Sequence, residues 1–488
     1  MPAQSGEYSA RTTRPCSEQS ARSGELARHD ALKRLSERDR DLIRLAQDPG
    51  FARWREQIAA IGGCEKPVYL TGASVTYRAS TGEVISSYTT RGEPGERLPV
   101  RCRNRRASVC EPCSRLHAGD TFHLMRAGLS GGKSVPEAVR ERPRLFVTLT
   151  APSFGPVHRI TQGGPCRPRR DGGICVHGLP LVCGLVHAEM DPLVGTPVCA
   201  ACYDYAGHVL WHAHAGRLWD RFTTAVRRHL ASAGGIARSR LGEHLIVSFA
   251  KVAEFQQRAA VHFHAVVRLD GPNGPASPPP DWAGAEELRE AVEHAAASAF
   301  VTVPESDAYG TERCAWGDRL DIQVIRSFVE GDELSDDAVA GYVAKYVSKG
   351  AADTGAGLDY RVVRYADIQA AAVSDHVRAL MGTCWRLGGL AELAPPRLRA
   401  WAHTLGYRGH ILTKSRRYST TYTALRGERA THHRANLGMP DYPDTTTESD
   451  FRFAGSGHTP GAAEIARGIA EDQALSRQLA REAWEDGG

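Results

Sequence analysis

The sequence predicts an α+β fold. An antiparallel sheet is flanked by helices, with a cysteine-rich module ahead of it and a cysteine- and histidine-rich insertion inside it. Three observations predict this. β-Branched runs recur at RLFVTLTA (144–151), HLIVSFAKVAEF (244–255) and AVHFHAVVRLDG (260–271), and the last two are close enough to form a hairpin. Helical periodicity marks residues 212–231, AGAEELREAVEHAAASAF and SDDAVAGYVAKYVSK. The chain has 12 cysteines, unevenly spread, with two CxxC pairs in Gly- and Pro-rich stretches.

In chain order, residues 1–55 are charged and poor in aromatics, a flexible start followed by a helix carrying Leu32, Leu35, Leu42 and Leu45. Residues 56–120 read as a zinc-ribbon-like module of short strands and turns with cysteines at both ends. Residues 121–360 hold the sheet, with the insertion at about 163–205. In the helix SDDAVAGYVAKYVSK, Ser335 is the expected N-cap and two aspartates fill the first turn. Residues 361–428 read as a basic helical extension. From Arg429 to the end the composition predicts disorder, broken by one weakly attached helix, EIARGIAEDQALSRQLAREAWE.

A chain of 488 residues has room for two or three domains and a sizeable core. No apolar run approaches a membrane span, and the polar N-terminus lacks a signal-peptide core, so a cytoplasmic location and no membrane partner are expected. In a reducing compartment, clustered cysteines point to metal rather than disulfides. The net charge of +5 says little, but RCRNRR (101–106), RPRR (167–170), RLWDRFTTAVRRHL (217–230) and TKSRRY (413–418) are local basic clusters suited to a phosphate backbone. AGLSGGKS (127–134) fits a loose phosphate-loop pattern, but it follows a helical segment where such a loop should follow a strand.

Alternation puts His262 and His264 on one face of their strand, about 7 Å apart along it, a geometry suited to one metal ion. Glu254, on the partner strand, adds an oxygen ligand for a hard divalent cation. Lysine is scarce, with seven in the chain, yet two of them lie in GYVAKYVSKG (341–350). Tyr342, Lys345, Tyr346 and Lys349 follow the i, i+3, i+4, i+7 stripe of a helix. Tyrosines beside lysines suit an anionic substrate and a hydroxyl nucleophile, which needs a polarised electrophile at neutral pH.

Two sets of cysteines have zinc-ligand spacing. The first is Cys64, Cys102, Cys110 and Cys113, with His117 as an alternative to Cys64. The second draws on Cys166, Cys175, His177, Cys183, His187, Cys199 and Cys202. Seven candidates exceed one tetrahedral site, and the favoured set is Cys175, Cys183, Cys199 and Cys202, with His187 next.

FVTLTAPS (146–153), VHFHAVV (261–267) and YVAKYVSK (342–349) together resemble the three ordered motifs of HUH-type rolling-circle replication initiators, in the two-tyrosine version. From about Gly62 to Arg426 the chain is similar to replication initiators of actinobacterial plasmids and integrative elements. The resemblance implies an HUH endonuclease domain that holds Mg²⁺ or Mn²⁺ on His262 and His264. It also implies nicking of single-stranded origin DNA through a 5′-phosphotyrosine link, with a host helicase and polymerase as further partners. Both tyrosines fit the YxxK form. Tyr346 is the expected main nucleophile, with Lys349 contacting phosphate or orienting it. Ala259 stands where the family pattern has glycine. Two other classes compete: a conjugative relaxase, which usually carries its tyrosine ahead of the histidines, and a non-enzymatic zinc-dependent DNA-binding regulator, which leaves the HFH strand unexplained.

Overall fold

The computed structural model describes residues 35–168, 173–325, 335–347, 355, 357–436 and 444–485. The chain divides into two compact units, residues 1–103, 109–113 and 442–488, and residues 104–108 and 114–441.

The second unit is built on a five-stranded sheet. Its elements are α1 (Glu111–Ser130, in this unit from Ser114 on), β1 (Arg144–Leu149), α2 (Tyr205–Ala233), β2 (Ile246–Phe255), β3 (Val261–Asp270), α3 (Ala285–Ser298), β4 (Phe300–Thr302), β5 (Arg313–Ala315) and β6 (Leu320–Val324), then α4 (Asp336–Val347), α5 (Asp375–Leu387), β7 (Leu412–Lys414) and α6 (Tyr422–Asn436). The sheet order is β6-β1-β3-β2-β7, and every neighbouring pair is antiparallel. The segment expected to be a helical extension thus also supplies an edge strand, β7.

Period-two alternation splits the strands between two cores. Leu145, Val147 and Leu149 of β1 and Phe263, Ala265, Val267 and Leu269 of β3 face one side, where α2, α3 and α5 cover them. Ala215, Leu218, Phe222, Val226 and Leu230 of α2 recur every three or four residues and form its buried stripe. Asp204 caps that helix, accepting from the Gly207 amide at 2.7 Å. On the other side, Phe146, Ala250, Val252 and Val266 pack against Leu124, Met125 and Leu129 of α1 and Val339, Ala340 and Val343 of α4. Ser335 caps α4 as its sequence indicates, accepting from the Ala338 amide at 3.1 Å. This second face also carries polar groups. Arg268 forks onto Asp270 at 2.9 Å and 2.9 Å, and Ser248 donates to the same carboxylate at 2.6 Å.

The β2–β3 turn explains the departure at Ala259. Its φ is +61°, in the left-handed region where a Cβ costs about 1–2 kcal/mol. Two hydrogen bonds hold it there, Ala259 N–H to the Gln256 carbonyl at 2.8 Å and Gln256 N–H to the Ala260 carbonyl at 2.9 Å.

Lys251 of β2 points into the first core, 3% exposed, with its Nζ 3.9 Å from the Phe263 ring centre and 5.4 Å from that of Trp219. Burial pushes its ammonium down to about 8, against a modest pull upward from Asp220. A base whose folded value is depressed destabilises the fold where it is charged, below about pH 8, and the penalty fades as pH rises toward its ordinary value. A shift of this size is worth about 3 kcal/mol, less about 1–2 kcal/mol of cation–π attraction. Lys251→Met is therefore expected to raise stability by about 1–2 kcal/mol at pH 7, and to lose that gain near pH 10.5. Denaturant midpoints at the two pH values check this, and a destabilised variant at pH 7 would contradict it.

The first unit corrects the expectation of a disordered C-terminal tail. Residues 437–443 lie outside the described residues, but Thr445–Ser449 pairs with Ala73–Arg78, and Arg452–Ser456 pairs with Val68–Thr71. Each completes a three-stranded antiparallel sheet, the third strands being Val84–Thr89 and Leu98–Val100. The last helix, Pro460–Glu485, is docked, burying Ala462 and Ala466 against Trp54 and Ile58. Gly63, with φ +66°, lies so close to this helix that an added Cβ would come within 2.4 Å of the Ala466 carbonyl. In the second unit, residues 429–436, also expected to be disordered, continue α6, and Arg429 contacts Asp120. The expected boundaries at 55 and 120 likewise give way to a unit that joins N-terminal helices, cysteine module and C-terminal strands.

AGLSGGKS is the end of α1 and a loop with Gly131, Gly132, Lys133 and Ser134 at positive φ. Lys133 pairs with Glu428 at 2.7 Å. No strand leads into this loop and no helix opens at its lysine, so it is not a phosphate loop.

Candidate active site and metal centres

The β2–β3 register sets Glu254 opposite His262, and the β1–β3 register sets Thr148 opposite His264. All four share the sheet face that α4 covers. His262 Nε2 lies 2.9 Å and His264 Nε2 3.2 Å from the same Glu254 Oε2, and the two imidazole nitrogens are 3.2 Å apart. Two ring nitrogens facing each other at this distance cannot both carry a proton between them. A cation about 2.1 Å from each donor would separate neighbouring donors by about 3.0–3.4 Å. The donor set therefore fits a divalent ion, and two imidazoles with one carboxylate suit Mn²⁺ better than the oxygen-preferring Mg²⁺.

The surroundings fix the rings. Thr148 Oγ1 meets His264 Nδ1 at 3.0 Å, and Phe146 stacks on the same imidazole with centroids 5.8 Å apart and planes 3° from parallel. With Thr148 on Nδ1, Nε2 is turned to Glu254 and His262, as a ligand requires. Burial lowers His264, partly offset by its hydrogen bond to Glu254, and favours the neutral, ligating imidazole. Burial would raise the Glu254 carboxyl, but the hydrogen bonds from His262 and His264 outweigh it and hold the group at about 2.

Tyr342 of α4 reaches this cluster. Its hydroxyl is 3.0 Å from His264 Nε2, and its ring stands edge-on to His264 and to Phe146, with centroids 5.0 Å and 5.8 Å apart. Lys345 is exposed, three residues further along α4. The Tyr346 backbone lies in α4, while its side chain and the whole of Lys349 fall outside the described residues. Thr148 and Phe146 were missed as site residues in the sequence, although both lie inside the quoted motif FVTLTAPS.

Among the described residues, nine cysteines and three histidines gather into three groups of four donors, each within a span that one ion can bridge. In the first unit, Cys64 Sγ is 3.8 Å from Cys110 Sγ and 3.5 Å from Cys113 Sγ, with Cys102 completing the set. Tetrahedral zinc with sulfur at about 2.3 Å puts its ligands about 3.8 Å apart. The Cys102 amide donates to Cys64 Sγ at 3.3 Å. His117 is not in this group; its ring packs on Tyr422 with centroids 4.9 Å apart.

The insertion corrects the favoured set Cys175, Cys183, Cys199 and Cys202. Cys183 lies with His158, Cys166 and His187, while Cys175, Cys199 and Cys202 lie with His177. His158 Nδ1 is 3.2 Å from His187 Nε2, and Cys183 Sγ is 3.4 Å from that same Nε2. Asp191 meets the other His187 nitrogen at 2.6 Å, the carboxylate support typical of a ligating imidazole. In the other group, His177 Nδ1 is 3.1 Å from Cys202 Sγ and 3.9 Å from Cys199 Sγ. His158 was missed, since no short motif ties it to the cysteines. The insertion abuts the β2–β3 hairpin at Gly195, with φ +84°, where an added Cβ would fall 2.2 Å from the Gln257 carbonyl of its turn.

The family model described as "RepSA: Replication initiator protein, pSAM2" matches residues 50–471. A replication initiator protein of Streptomyces ambofaciens is 45% identical over 456 residues, which cover 91% of this chain and 95% of that relative. No solved structure matches. Among the described residues, no helix is long and apolar enough to cross a membrane.

Proposed function

Since this chain belongs to the RepSA family of replication initiator proteins, we propose that it starts plasmid replication by the rolling-circle route, as an HUH-type enzyme that nicks and rejoins single-stranded origin DNA. The observation that carries this reading is the Tyr342 hydroxyl, 3.0 Å from His264 in the His262/His264/Glu254 cluster. A divalent cation, Mn²⁺ or Mg²⁺, held by those three side chains would supply Lewis-acid polarisation of the scissile phosphate.

The remaining chemistry belongs to the protein. Thr148 and Phe146 hold His264 in one orientation, and α4 delivers the tyrosine to the same face. The tyrosine oxygen attacks phosphorus and loses its proton. The bond from phosphorus to the 3′ oxygen breaks, and that oxygen takes up a proton to become the priming 3′-hydroxyl. The 5′ end stays on tyrosine as a phosphodiester, so its bond energy is kept for rejoining. Tyr342 makes the first attack in this scheme, and Tyr346, one helical turn on, makes the second after a round of synthesis. Lys345 and Lys349 add positive charge beside the phosphates. Unwinding falls to a host helicase and copying to a host polymerase. The three Cys/His groups hold structural Zn²⁺.

The test is incubation with a labelled single strand carrying the plasmid origin, plus Mn²⁺, followed by a denaturing gel. A metal-dependent, protease-sensitive, slow-migrating adduct is expected. Cleavage that leaves no protein on the 5′ end would overturn the tyrosine mechanism.

A further inference from the structure

On the opposite side of the sheet from this site, the α2–α3 layer carries a cleft of about 720 Å³. That volume falls in the range of ligand-binding clefts, about 300–1,000 Å³. Arg217, Arg221 and Arg228 line it along one stripe of α2, at i, i+4 and i+11, and all three are exposed. His229 and His294 face each other in it, with ring centroids 5.1 Å apart. Among the described residues, no carboxylate lines the cleft. Of the α3 glutamates, Glu286 and Glu293 pair with Arg289 at 2.8 Å and 3.4 Å, and Glu287 accepts from the Gly284 amide at 3.1 Å.

The cleft also holds an aromatic group with no place in either core. Phe300 opens β4 and is 49% exposed, while its neighbour Val301 is buried. Strand alternation turns the Phe300 ring outward, and Arg313 lies 5.9 Å from its centre. Arginines that meet phosphates, beside an aromatic face on which a base can stack, are the two elements of a single-strand binding groove. A duplex would use the arginines but leave the ring idle, because its bases are already stacked.

We propose that this cleft is a second DNA site that holds a single-stranded segment away from the nicking centre, with Arg217, Arg221 and Arg228 on phosphates and Phe300 under a base. The proposal rests on DNA being the partner, as argued above, but not on the nicking chemistry. Three neutralised phosphates on a single strand steepen the salt dependence of binding by about 2 in log K against log salt. Base stacking is worth roughly 5- to 100-fold in affinity per ring removed.

The experiment measures anisotropy of a labelled single strand on the full chain, without added divalent ion, across a salt series. Arg217→Ala/Arg221→Ala/Arg228→Ala is expected to weaken binding roughly 10- to 100-fold at 0.1 M salt and to flatten the slope by about 2. Phe300→Ala is expected to weaken binding with the slope unchanged. All four positions are exposed, and thermal midpoints equal to wild type confirm folding. Wild-type affinity and slope in the triple variant would overturn the proposal. A silent Phe300→Ala, or equal competition by duplex DNA, would overturn the single-strand assignment. Adduct formation at saturating strand should survive in all variants. Its absence even from wild type would refute the nicking reading and leave the binding result standing.

Discussion

Tyr342→Phe is expected to lower adduct formation at the first nick by roughly 10³-fold, while Tyr346→Phe leaves that nick and loses strand transfer. The phenylalanine keeps the ring contacts with Phe146 and His264 and removes only the hydroxyl that sits 3.0 Å from His264 Nε2. His264→Ala is expected to cost at least as much, because it removes one donor of the metal set and leaves Glu254 with a single imidazole partner. Mass spectrometry of the adduct peptide identifies the attacking residue. A first-nick adduct found only on Tyr346 would reverse the proposed order and make Tyr346 the main nucleophile.

The second large effect concerns zinc. Freshly purified protein should contain three zinc ions per chain, one for each group of four donors. Cys183→Ser should remove one, Cys199→Ser a different one, and the double variant two. If the insertion held a single site, the double variant would lose no more than either alone. Cys113→Ser should unfold the first unit, where Cys64, Cys110 and Cys113 are all buried. A structural zinc contributes about 10–16 kcal/mol in small domains, as much as the whole net stability of a typical fold, about 5–15 kcal/mol. Metal analysis together with thermal unfolding reads both results.

The parts of this architecture that the sequence reveals are those set by local periodicity. Alternation alone places His262 and His264 on one face, and a short turn brings Glu254 beside them. Thr148 is different. Its contact with His264 depends on a strand register across 116 residues, which no local pattern encodes. The grouping of the cysteines and histidines was illegible for a similar reason. Spacing identifies the donors, but their partition depends on the path of an insertion with almost no apolar core. The C-terminal strands were misread because they are made without apolar burial. All five residues of Thr445–Ser449 are exposed. The strand is held by its backbone ladder, by Thr76 with Thr447 at 2.9 Å and by Tyr77 with Glu448 at 2.8 Å. Composition cannot tell such a strand from a disordered polar tail. Tyr346 and Lys349 were legible as a motif but have no described side-chain positions.

That C-terminal pairing has a consequence for how the protein is made. Thr76 and Thr447 are 371 residues apart, and both sheets of the first unit take a strand from residues beyond 444. At about 5–20 residues per second, a ribosome that has just made Thr76 needs roughly 20–75 s to supply its partner. Throughout that time one edge of Val68–Thr71 and one edge of Ala73–Arg78 await their C-terminal partners on the nascent chain, while the second unit has its last strand once Lys414 is made and can complete first. The N-terminal unit is thus the last to be completed. A chain truncated near residue 441 would carry Tyr342 and the His262/His264/Glu254 cluster but not this unit.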